Sequence, residues 1–222
     1  VGDGRLKPGL QQRASDEAAL DQNGVLLVCL HDYVAWSGDL DLCRERWHEI
    51  ETLAEFPLRP VFRHDRSGLL FNRREFWERH AAHGVEPGLE LIHQVFVSLG
   101  LDAAAALAAR LGQGDRARRW AAEAATLRNA TLRDPVFALV DARGFVKRRR
   151  LDGSVQETIT PRADAGLPPG VPLAGPGDHP LNPDTATALA IASGFVPATS
   201  ALARRTLDHL DAIWNQGWTI GG

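Results

Sequence analysis

One unit recurs three times along this chain, and it limits the possible folds more than anything else in the sequence. Each copy is an apolar helical run, a short turn, and a second, more charged helical run. The first copy is Ser15–Trp36 then Leu40–Phe56, the second Glu86–Gly112 then Arg116–Leu132, and the third Asn182–Phe195 then Ala201–Gln216. The second run of each copy carries a Trp: Trp47, Trp120 and Trp214. Apolar residues recur at helical spacing throughout. In the first copy Leu42, Cys43, Trp47, Ile50, Leu53, Ala54 and Phe56 form one stripe, and Pro57 ends it. These are αα-hairpins. The more apolar first helix of each pair is expected inside and the second outside.

The connections divide into two kinds. The turns within hairpins, Ser37–Asp39, Gly112–Asp115 and Gly194–Ser200, are short. Asp39, Gly114–Asp115 and Thr199–Ser200 are expected to supply the cap of the helix that follows, and Ser15 or Asp16 that of the first helix. The connections between hairpins, residues 57–86 and 133–183, are long. In a ring of hairpins the long connections would share one face, and loops of that length tend to carry function. Val136–Pro161 alternates in polarity and contains Asp152–Gly153, a hairpin-turn signal, so a small β-hairpin is expected near 136–161. The expectation is an all-α chain of hairpin repeats, forming one domain over 1–222. The absence of Met and the closing run "WNQGWTIGG" read as signs of a fragment.

With 44% hydrophobic and 24% charged residues, the chain can bury a core. Its net charge of -3 argues against a nucleic-acid partner. The run Lys147–Arg150 is read as a solvated strand whose charges alternate between faces. No apolar run reads as a membrane span and no signal peptide opens the chain, which favours a cytoplasmic location. Cys29 and Cys43 fall in apolar helical patterns and are expected to be free core thiols. His80, His83 and Glu86 stand at i, i+3 and i+6, so the third drifts off the face of the first two; no metal and no cofactor is expected.

Three hairpins, with "FWERH" (Phe76–His80) closing a long loop, resemble part of an (α/α)6 toroid. The chain is similar to the six-hairpin glycosidases, the group that includes glucoamylases, trehalases and α-L-rhamnosidases. A toroid of this kind has six hairpins, so the resemblance implies about half of one. In glucoamylases a Trp followed by a Glu, in the loop entering an inner helix, carries the general acid, and Trp77–Glu78 stand in that relation here. Where that motif continues with a second Glu, this chain has Arg79.

The resemblance implies a glycoside hydrolase acting on an oligo- or polysaccharide, by inversion. A carboxyl group beside an indole is partly desolvated, which favours its protonated form, so Glu78 would serve as general acid. Arg79, His80 and His83 would bind hydroxyls. The alternative for this stretch is a surface helix with a Glu75–Arg79 pair. A second carboxylate is needed, and Glu157, Glu86, Asp178 and Asp184 are the candidates. Glu157, on the expected β-hairpin, is taken as the catalytic partner, with a sugar contact or an ordinary strand position as its alternatives. In relatives of this fold the base usually comes from the last hairpins, which would lie after Gly222. Glu86, His179, Trp214, Gln216 and Trp218 are candidate sugar contacts, the last three with packing as the competing role. His93 and Gln94 would face a cavity or sit in the core. Trp36–Asp39 resembles a sugar-site cluster, but Asp39 reads as a cap. Two other functions stay open: a non-catalytic helical-repeat scaffold for a protein partner, and a sugar epimerase or isomerase using His80, His83 or His179.

Overall fold

A computed structural model describes residues 19–72, 86–159, 179–180 and 184–213. The described chain is mostly helical with small two-stranded sheets. Its helices are α1 (Leu20–Ser37), α2 (Asp41–Glu45), α3 (Trp47–Glu55), α4 (Leu91–Arg110), α5 (Gly114–Arg133), α6 (Asp184–Ala192) and α7 (Ala201–Ile213). They fall where the three hairpins were expected, with the run over Leu40–Phe56 divided into α2 and α3 at Arg46. Two compact units divide the chain: Val1–Leu70 with His93–Ala130, and Phe71–Ile92 with Thr131–Gly222.

In the first unit α4 is the core helix, burying Val95, Val97, Leu101, Ala104, Leu107 and Ala108. α5 buries one side through Trp120, Ala124 and Leu127 and leaves its charges outside, as its amphipathic pattern requires. The α4–α5 turn closes at Gly112, whose φ of 75° is left-handed; the Gln113 N–H donates to the Ala108 carbonyl at 2.8 Å. α3 buries Ile50, Leu53 and Ala54 and packs on α1. Glu55 accepts from Arg119 at 2.8 and 2.7 Å and from the Trp120 indole N–H at 2.9 Å. Trp47 and Trp120 rings meet at 5.8 Å.

α1 departs from expectation. It buries Leu20, Asn23, Gly24, Leu27 and Val34, but Val25, Tyr33 and Trp36 are exposed, Trp36 at 91%. Its apolar residues spread around the helix, so one covered side leaves others in solvent. Cys29 is exposed for the same reason and is not a core thiol, whereas Cys43 is buried; both are free. The membrane expectation also needs correction. α4 is long and apolar enough to span a bilayer by length and composition, but 78% of its apolar window is buried inside the protein, as in a core helix.

One of the expected caps is in place: the Ser200 hydroxyl accepts from the Ala203 N–H at 3.1 Å. The N-cap of α2 is Leu40, without a side-chain bond, and Asp39 stands one residue ahead of it, its carboxylate accepting from the Asp41 N–H at 2.8 Å. Asp115 instead lies inside the first turn of α5 and pairs with Arg118. α1 starts after Ala19, which makes no side-chain cap; Ser15 and Asp16 lie outside the described residues.

The second unit holds the strands. β1 (Gly88–Glu90) pairs antiparallel with β4 (Arg148–Arg150), β2 (Val140–Asp141) with β3 (Gly144–Phe145), and β5 (Thr158–Ile159) with β6 (His179–Pro180). The tight hairpin therefore turns at Ala142–Arg143, not at Asp152–Gly153. The chain also reverses at Asp152–Gly153, where an isolated Arg149–Val155 bridge forms and the Arg150 and Gln156 N–H groups donate to the Ser154 and Arg148 carbonyls at 2.9 and 3.0 Å, but the regular pairing of β4 is with β1. α7 packs on β3, where the Thr206 hydroxyl accepts from the Phe145 N–H at 3.0 Å and Phe145 meets Phe195 at 6.4 Å.

Candidate functional site

The segment that carries Trp77, Glu78, Arg79, His80 and His83 lies at 73–85, outside the described residues, but the backbone on both sides of it is described. Asn72 and Gly88 exchange two backbone hydrogen bonds, 3.2 Å from Asn72 N to Gly88 O and 2.9 Å from Gly88 N to Asn72 O. The chain thus leaves and returns at one place.

Beneath that place is a buried ion pair. Glu90 interrupts the apolar run Leu89, Leu91, Ile92, and all four residues have no exposure. A carboxylate in such a run needs a cation. The β1–β4 register supplies one by setting Glu90 opposite Arg148, and directly opposed side chains share a face. Arg148 Nη1 donates to Glu90 Oε2 at 2.8 Å, with both side chains fully buried. The rest of the guanidinium reads its surroundings. Nε donates to Gln156 Oε1 at 3.0 Å, and Nη2 donates to the carbonyls of Glu86 at 2.6 Å and Asn72 at 3.4 Å. One planar cation therefore holds the backbone before and after 73–85. Gly88 makes room for it: a Cβ there would lie 2.7 Å from Nε and Nη2. This overturns the reading of Lys147–Arg150 as a solvated strand. Lys147 and Arg148 are buried, and Arg149 donates to the carbonyls of Ala138 at 2.7 Å and Gly153 at 2.8 Å. Burial lowers the Arg149 pKa below its usual value.

The other candidates are more dispersed. Glu86 is exposed at the end of the segment, with its carbonyl on Arg148. The Glu157 side chain is 64% exposed and pairs with Arg143 at 2.9 Å; Arg143 also holds Asp141 at 3.0 Å. Those two carboxylates, Asp141 foremost, raise the Arg143 pKa. His179 lies in β6 and Asp184 at the start of α6. Asp178, Trp214, Gln216 and Trp218 are outside the described residues. His93 and Gln94 are buried: His93 Nε2 lies 3.3 Å from the Asp21 carboxylate, while Gln94 accepts from the Leu70 N–H at 2.8 Å and donates to its carbonyl at 2.7 Å. Gln94 thereby pairs with Leu70 as a strand would. At the end of α1 the Tyr33 hydroxyl donates to Asp39 at 2.8 Å, which raises the Tyr33 pKa and lowers that of Asp39. Among the described residues, no three His, Cys, Asp or Glu side chains gather into a metal cage.

The Arg148–Glu90 pair was not foreseen, although its signal was available: a Glu inside an otherwise apolar run. No protein-family model matches this chain, and no curated protein matches it.

Proposed function

We propose that this chain belongs to a glycoside hydrolase whose helical hairpins form part of an (α/α)6 toroid, with Glu78 as general acid. The supporting observation is the buried guanidinium that ties together Asn72 and Glu86, which precede and follow the Trp77–Glu78 stretch in the sequence. Removing one partner of a buried ion pair costs about 3–5 kcal/mol. Such a pair fixes Asn72 relative to Glu86, and an acid that must meet a glycosidic oxygen needs a fixed backbone to carry it. Glu78, beside the Trp77 indole, would protonate the leaving oxygen. Inversion then requires a second carboxylate roughly 6.5–9.5 Å away to activate water. Arg79, His80, His83 and Glu86 would contact sugar hydroxyls.

The test is Glu78→Gln, assayed on a panel of oligosaccharides with the product anomer followed by NMR. General acid catalysis contributes about 10²–10⁴-fold, so hydrolysis should fall by that factor. Full activity of the variant on every glycoside the parent cleaves overturns the proposal, and so does a parent that cleaves none.

A further inference from the structure

We draw no further inference here: the strongest candidate, the outward apolar side of α1 where Val25, Cys29, Tyr33 and Trp36 stand exposed, carries nothing because nothing in the described residues shows what covers it.

Discussion

Gly24→Ala is the sharpest test of the first unit's packing. In a helix interior Ala is favoured over Gly by about 1 kcal/mol, and on propensity alone the variant should be more stable. The structure reverses that sign. A Cβ on Gly24 would sit 1.9 Å from the Phe96 carbonyl oxygen, 2.3 Å from its carbon and 2.8 Å from Val97 N. All three are α4 backbone atoms, which cannot rotate away. Gly100 answers from α4, where a Cβ would lie 2.5 Å from Gly24 Cα. Ordinary contacts fall near 3.5 Å, so α1 would have to retreat by roughly 1.5 Å, and even a gap of about 0.5–1 Å forfeits a quarter to a half of each contact's attraction. Overpacking costs about 1–3 kcal/mol, occasionally more; a clash with rigid backbone belongs at the upper end. After the propensity gain, the net loss should be about 2 kcal/mol. Urea unfolding followed by circular dichroism should show a midpoint lower by roughly 1 M at a typical slope. Gly38→Ala, where φ is +73° and nothing lies within 4 Å, isolates backbone strain without a clash. If Gly24→Ala matches or exceeds wild-type stability, α1 and α4 do not cross at these glycines.

In the second unit Gly144→Ala meets both penalties at once: φ is +134°, and a Cβ would fall 2.4 Å from Thr206 Oγ1 and 2.6 Å from its Cα. Strain and overpacking together should cost about 3 kcal/mol or more, visible as lost amide protection in α7; unchanged protection would contradict the α7–β3 packing. At the end of α1, the Tyr33 hydroxyl is the largest cause of Asp39's pKa lying below its ordinary 3.8. A carboxylate depressed by folding adds stability above its unfolded pKa and loses it as pH falls through the folded one. In Tyr33→Phe the Asp39 carboxyl should therefore titrate at higher pH by NMR, and an unmoved titration would mean the hydroxyl is not its partner.

The helices were legible because their signals are local. The spacing of Ile50, Leu53 and Ala54, and Ser200 ahead of α7, report on neighbours within a turn or two, and the structure places both as expected. The tight strand turn was misplaced for a related reason. Asp152–Gly153 does turn the chain and is crossed by hydrogen bonds, yet the regular pairing of β4 is with β1, far away in the sequence, and local propensity does not register so distant a partner. The exposed apolar positions of α1 show the same limit: a helix apolar on several sides does not announce which of them its neighbours will cover.

For the site, sequence alone singled out the stretch around Trp77 and Glu78 as chemically dense, through residue types and their adjacency. It also contained the hint that Glu90 needs a partner, without saying which of 25 basic residues would serve. Tertiary structure decided that. The antiparallel register puts Arg148 opposite Glu90, and Gly88 admits its guanidinium beside the backbone. A charge run that looks solvated in one dimension becomes a buried anchor in three, because burial depends on what packs against a residue, and only the fold supplies that.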